Sequence, residues 1–421
     1  MPTQQEQTFA NWKRQVALFL TSQFISLFGS SLVGFAIFWY ITLKTESGVM
    51  MTLYILCGFL PTFLVSPFAG VWADRYHRKL LIWSADAVIA LVTLILALVF
   101  LAGYEAVWLL FLISAIRALG TGVQTPAVSA ILPQMVPKEH LVKVNGINSS
   151  MNAAISFVAP IVSAALLTWS TIESILFIDV ATATVAVLVL LTMLKIPKHQ
   201  RAEDNRTESY FGNFAEGLRY IQKHGYLKIY FLFNAAFLFC SAPAAFLTPL
   251  QVVRSFGEEV WRLTAIEIAF SSGMMAGGAV MAAWGGFSNR VRTMAFAGAF
   301  LGGCTLGLGV VPNFWIYLLI MAICGVALPM FNTPATVLLQ EKVEEHYLGR
   351  IFGVFSMIST SMMPLGMLLF GPVADLVPIE WLLVATGVLI MALSLWMGSN
   401  RILLEAGQRP PQKEQPLPEE G

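Results

Sequence analysis

Charge is scarce in this chain of 421 residues: Asp, Glu, Lys and Arg make up 12%, about half of the roughly 25% of a soluble domain. That excludes an ordinary water-soluble globule. The net charge of +1 comes from small clusters rather than a basic face, so no nucleic-acid partner is expected. Cysteine is scarcer still. Cys57, Cys240, Cys304 and Cys324 each stand inside an apolar run and none forms a Cys-x-x-Cys pair. Neither a disulfide framework nor a zinc site is suggested, and packing is left as their role. The five histidines, His77, His140, His199, His224 and His346, fall between the apolar runs. Neither His-Glu-x-x-His nor Gly-x-Ser-x-Gly is present, so a hydrolase or metalloenzyme has no constellation to use. No Gly-x-x-x-x-Gly-Lys-Ser/Thr occurs either, and ATP is not expected to bind. The sequence implies no enzyme, no cofactor and no metal.

What remains is apolar: 57% of the residues are hydrophobic, with a mean hydropathy of +0.73. Twelve runs are long enough to cross a bilayer of about 30 Å as helices. They cover 16–43, 49–72, 80–102, 107–131, 144–169 and 172–194, then 228–254, 264–287, 293–311, 315–339, 350–376 and 380–399. Helix is forced physically. A chain in lipid must satisfy its own backbone, and these runs are too long for barrel strands. The expected fold is all-α and integral to the membrane, with two six-helix bundles at 16–194 and 228–399. A cytoplasmic N-terminal tail, 1–15, a linker, 195–227, and a disordered cytoplasmic tail, 400–421, complete the chain. No small-residue cleavage site follows the first run, which reads as a retained anchor.

Lys and Arg orient the chain. With the N-terminus inside, nearly all of the 25 fall in interior segments. Only Lys44, Arg254 and Arg262 fall outside, and Arg117 lies within a span. The asymmetry predicts a multi-pass protein with both termini cytoplasmic. Within 195–227, Phe211, Phe214, Leu218 and Ile221 recur at helical spacing, away from Glu216, Arg219 and Lys223. The segment predicts a short helix lying on the membrane surface or packed on protein. Thr125-Pro-Ala127 in the fourth span recurs as Thr333-Pro-Ala335 in the tenth. Parallel repeats of this kind suit a substrate path between two bundles.

Polar residues inside the spans mark that path. Arg117, Thr121 and Gln124 share one face of the fourth span. An Arg near the membrane centre is costly and needs a partner, whether it couples protons or only pins helices. Asp179 and Asp86 are the candidate acids. Asp179 is at the more similar depth, offset from Arg117 by about 4.5 Å at about 1.5 Å per residue. Glu267, Ser271 and Met274 share a face of the eighth span. There Glu267 can bind an outside proton, attract a cationic amine, or sit at headgroup level. Gln23 and Ser26 in the first span, Asn152 in the fifth, Asn234 in the seventh and Asn332 in the tenth are further path candidates. So are Phe237, Phe331 and Met363, although interhelical bonding or packing would explain them equally.

Between the second and third spans stands Gly70-Val-Trp-Ala-Asp-Arg-Tyr-His-Arg-Lys79. Its order, Gly70, Asp74, Arg75, Arg78 and Lys79, resembles the corresponding loop of major facilitator superfamily transporters, with His77 where that family has a second Gly. The resemblance implies a cytoplasmic gate in which the Asp docks at a helix of the other half. Arg117-Ala-Leu-Gly-Thr-Gly122 resembles the fourth-span motif of proton-coupled drug antiporters, which implies a part in proton coupling for Arg117. Asn11-Trp-Lys-Arg14, Gly58-Phe-Leu-Pro61, Thr125-Pro-Ala127, Ile196-Pro-Lys198, Ser272-Gly-Met274, Gln340-Glu-Lys342 and Tyr347-Leu-Gly-Arg350, taken in order, resemble Mef-type macrolide efflux proteins. That implies a monomeric transporter exporting hydrophobic antibiotics in exchange for protons by alternating access. Export of an endogenous amphiphile such as a siderophore, or a non-transporting receptor or scaffold, would use the same fold.

Overall fold

A computed structural model describes residues 11–194 and 210–408. Most of the N-terminal tail, the first part of the linker and the end of the C-terminal tail lie outside these residues. Outside them too lie the side-chain surroundings of Gly70, Asp74, Arg75, Phe211 and Phe214.

The described residues are almost entirely helical, joined by short turns. The helices are α1 (Trp12–Thr45), α2 (Gly48–Arg75), α3 (Arg78–Leu101), α4 (Val107–Met135), α5 (Leu141–Trp169) and α6 (Ile172–Met193). They continue as α7 (Tyr210–Lys223), α8 (Gly225–Phe246), α9 (Thr248–Phe256), α10 (Val260–Trp284), α11 (Arg290–Val310), α12 (Phe314–Lys342), α13 (Glu345–Val373), α14 (Ile379–Ser399) and α15 (Arg401–Ala406). Taking α8 and α9 together, 12 of these segments are long and apolar enough to cross a membrane. Polar residues set their ends. Ser47 accepts from Met50 N–H at α2, Asn289 from Val291 and Arg292 at α11, and Asn313 from Trp315 and Ile316 at α12. The seventh span is broken at Leu247, and Pro249 opens α9, where its missing N–H costs nothing.

Two corrections concern the ends. Helix α1 begins at Trp12, inside the segment expected to be a polar tail, because Trp12 stacks on His140 at 4.9 Å. Residues 400–408, expected to lack order, hold α15 and dock on the chain. Asn289 Nδ2 donates to Leu404 O at 2.7 Å, Arg290 N–H donates to Gly407 O at 2.9 Å, and Leu403 is buried.

The helices gather into two units. The first holds 1–210 with 246–268 and 367–378. In it α1 packs on α5 and α6, α3 packs on α4 and α6, and α2 packs on α4. Leu32, Ile37, Phe100, Ile113, Ile155 and Leu176 fill the core towards the end of α1, and Phe19, Ile82, Ile131 and Leu190 fill it near its start. Gly29 lets α1 meet α6 closely, since a Cβ there would strike Thr182 and crowd Asp179.

The second unit holds 211–245, 269–366 and 379–421. Here α11 packs on α12 and α14. Phe237 and Phe331 stack at 4.3 Å and are both buried. The amphipathic α7 buries Tyr220 and Ile221, exposes Leu218, and sets Gly217 against Arg350 and Val354 of α13. Glu216 pairs with Arg350 at 3.0 Å, and Tyr220 stacks on Tyr347 at 4.4 Å.

Candidate functional site

Polar groups in the first unit form two layers across α1, α3, α4 and α6. In one, Arg117 of α4 makes a buried ion pair with Asp179 of α6 and donates to Thr93 Oγ1 of α3. Its other amine nitrogen donates to Ser30 O of α1 at 3.3 Å. Ser30 Oγ donates to Asp179 Oδ1 at 3.2 Å and Thr93 Oγ1 to Asp179 Oδ2 at 3.4 Å. Both Asp179 oxygens are therefore occupied. Arg117 is 8% exposed and Asp179 fully buried, so the pair is held by its partners and not by water.

The second layer lies two turns along α3 and α4, about 10 Å at about 1.5 Å per residue. Asp86 Oδ1 accepts from Ser26 Oγ at 2.7 Å and Gln124 Nε2 at 2.9 Å. Gln124 Nε2 also reaches Gln23 Oε1 at 3.4 Å. Asp86 Oδ2 is buried and has no partner among the described residues. Asp86, Ser26, Gln23 and Gln124 are all buried.

The sequence candidates thus divide. Arg117, Asp179, Asp86, Gln23, Ser26 and Gln124 come together. Thr121, on the same helix, is exposed and bonds only to Arg117 O, at 3.1 Å. Asn152 is exposed on α5. Glu267, half-buried on α10, has no hydrogen-bond or ion-pair partner among the described residues. Asn234, Phe237, Ser271, Met274, Phe331, Asn332 and Met363 belong to the second unit. Of these, Met274 and Asn332 are exposed, Met363 is half-buried, and the others are buried. In the loop read as a gate, Arg78 and Lys79 bind carbonyls of the first unit. Arg78 donates to Ala73 O at 2.9 Å and to Ala130 O, and Lys79 to Leu194 O at 2.8 Å.

One polar cluster escaped sequence reasoning. At the end of the first unit away from the N-terminus, Asp375, just past α13, closes the start of α2. Its oxygens accept from Ser47 Oγ at 2.7 Å, Gly48 N–H at 2.7 Å and Val49 N–H at 3.0 Å. Arg254 of α9 adds an ion pair at 2.8 Å and donates to Ala374 O and Glu46 O. Beneath it, Gly48 of α2 and Gly371 of α13 touch so closely that a Cβ on either would strike the other helix. Thr52 Oγ1 donates to Met367 O at 3.1 Å.

Residues 19–367 match the family described as Major Facilitator Superfamily. Macrolide efflux protein A of Streptococcus pyogenes is 30% identical over 390 residues, covering 92% of this chain and 96% of the relative. The protein of that name from Enterococcus faecalis is 31% identical over 315 residues, 74% of this chain and 97% of its own. Among solved structures, a bacterial homologue of the human lysosomal transporter Spinster, inward-facing and unoccupied, superposes with a TM-score of 0.70 at 14% identity. That match covers 95% of this chain and 99% of the other. The nucleoside transporter NupG gives 0.66 at 15% identity, over 92% of this chain and 98% of its own. Twelve membrane-length helices, a buried charge cluster and these matches lead to one conclusion: the chain is a multi-pass membrane transporter, not an enzyme, and belongs to the major facilitator superfamily.

Proposed function

We propose that the chain exports hydrophobic, macrolide-like drugs in exchange for protons, by alternating access, from a bacterial plasma membrane with both termini in the cytoplasm. The observation that carries this reading is the buried set of one guanidinium, Arg117, and two carboxyls, Asp179 and Asp86, in the first unit. Groups of this kind are expensive inside a membrane and are kept where they move charge. The relatives named for macrolide efflux supply the substrate class. Glu267 adds a carboxyl without a counter-ion, suited to a proton or to the cationic amine of a drug. Arg78 and Lys79, with Gly70, Asp74 and Arg75 beside them, form the cytoplasmic gate in this reading. The exposed Met274, Asn332, Thr121 and Asn152 offer surface to the substrate.

Everted vesicles with an acid lumen test it. Radiolabelled erythromycin should accumulate as the lumen becomes more alkaline, and a protonophore should abolish the uptake. Uptake no greater than in vesicles lacking the protein would sink the proposal. A tag at either terminus should be cut by added protease in everted vesicles and survive in right-side-out cells.

A further inference from the structure

We infer that the carboxyl of Asp86 takes up and gives back the exchanged proton, with Arg117 and Asp179 acting as a fixed pair that positions it. The inference rests on the proton-exchange reading above and names the group that performs it.

Occupancy of the carboxyl oxygens separates the acids. Asp179 has a cation and a hydroxyl on Oδ2 and a second hydroxyl on Oδ1. A proton arriving there would neutralise the anion that Arg117 pairs with and leave the guanidinium buried without its paired counter-ion. Asp86 differs at one atom: Ser26 and Gln124 serve Oδ1, while Oδ2 meets no donor, no cation and no solvent among the described residues.

The groups facing Asp86 offer no other compensation. From α1 come the neutral Gln23, Ser26 and Ser30. From α4 come Gln124 and Arg117, the latter already paired, and from α6 comes Asp179, a second anion. On α2, the Tyr54 hydroxyl is committed elsewhere and donates to Gly34 O at 2.7 Å. With both acids ionised the cluster holds one more negative than positive charge, in surroundings where an unpaired ion is costly. One proton on Oδ2 makes the cluster neutral and leaves every hydrogen bond described above in place. The step is a single O–H bond formed at Oδ2 with a proton from one face of the membrane and broken with release to the other. Ser26 and Gln124 can donate to Oδ1 in both states, so the site can be loaded and unloaded without rebuilding its frame.

Asp86→Asn tests this, because the amide keeps the acceptor oxygen and imitates the protonated acid. In everted vesicles, accumulation of erythromycin driven by a pH gradient should fall by about tenfold or more, while exchange of internal for external drug at equal pH persists, since a group locked in one protonation state cannot link the two fluxes. In weakly buffered detergent solution, erythromycin should release protons from the native protein and none from Asp86→Asn. An Asp86→Asn protein that still accumulates drug on a pH gradient, or still releases protons, overturns the inference alone. A native protein that does neither overturns the exchange reading and the inference together. If Asp86→Asn does not fold, Asp86→Glu decides. Moving the carboxyl by one methylene should shift the pH at which half the protons are released, and an unchanged midpoint overturns the assignment.

Discussion

Asp375 Oδ1 accepts the backbone N–H of Gly48 at 2.7 Å, although the two residues are 327 positions apart. The carboxylate sits at the start of α2, where the helix dipole and unpaired N–H groups favour an anion. Arg254 pins it from α9. The contact ties the second span to the end of the eleventh.

Such a tie must break if that end is to open. Asp375→Asn is expected to raise the open population by about tenfold or more, because one charge-assisted hydrogen bond is worth about 1.5–3 kcal/mol and about 1.4 kcal/mol is tenfold. A cysteine at Met367, fully buried here, would report it through faster labelling by a membrane-impermeant maleimide, with the four native cysteines replaced by serine. Unchanged labelling would mean the contact carries no gating energy.

The same probe reads the effect of pH. Burial pushes the Asp375 carboxyl up, but the Val49 N–H, the Ser47 hydroxyl, the Gly48 N–H and Arg254 outweigh it and hold the group below its ordinary value. A depressed carboxyl favours the tied state above the usual value of about 3.9 and loses that effect only as pH falls through the lowered one. Labelling at Met367 should therefore be flat between about pH 5 and 8 with respect to this group. A rise in labelling between pH 7 and 5 that disappears in Asp375→Asn would contradict the assignment.

Gly48 gives a steric version of the experiment. Any Cβ there meets the Gly371 backbone, whereas one at Gly58 meets nothing within 4 Å. Gly48→Val should label Met367Cys faster than the native chain does and slow drug export, while Gly58→Ala should do neither. Equal behaviour of the two would show that the crossing is slack.

Arg117 and Asp179 are best tested by subtraction. Removing one member of a buried pair typically costs about 3–5 kcal/mol, and removing both costs less. Arg117→Leu and Asp179→Leu should each melt well below the native protein in detergent, and the double variant should recover part of the loss. Transport should not recover. A double variant no more stable than the singles would argue against the pair as a unit.

With the proton assigned to Asp86, Glu267 is left as a carboxyl for a cationic substrate. Glu267→Gln should keep pH-driven accumulation within about twofold and raise the half-saturating concentration of a cationic dye by up to about fivefold, as for a partly exposed ion pair. A neutral substrate should be unaffected. Loss of pH-driven uptake in Glu267→Gln would return the coupling role to this residue.

Depth arithmetic along ideal helices was enough to bring Asp179 to Arg117, because both lie in long, regular spans and an unpaired charge there is costly. It could not show that Asp86 would be left with one bare oxygen, since that depends on where Ser26 and Gln124 point. The tie at Asp375 was not legible. Asp375 stands in a short turn with no charge pattern, and Arg254 counted in sequence only as a positive charge on one side. Arg78 and Lys79 were legible as a basic loop, but not as donors to the Ala130 and Leu194 carbonyls. Phe237 and Phe331 read from sequence either as soft ligand surface or as apolar packing. The two rings stack in parallel and are buried, a packing detail that periodicity does not carry.

The separation of 62 positions between Arg117 and Asp179 also sets a timetable. At a synthesis rate of about 5–20 residues per second, α4 leaves the ribosome roughly 3–12 s before the acid that neutralises it. During that interval the guanidinium enters the insertion machinery without its partner, at a cost of about 2.5–3.5 kcal/mol on insertion scales. Asp86 on α3 is already made by then and is the acid that could hold it before the helices reach their final positions. Nascent chains stalled after α4 should therefore insert that helix less efficiently when Asp86 is replaced by Asn, and chains stalled after α6 should not feel the change. The carboxyl assigned to proton exchange in the finished transporter would then first serve as a temporary counter-ion during its assembly.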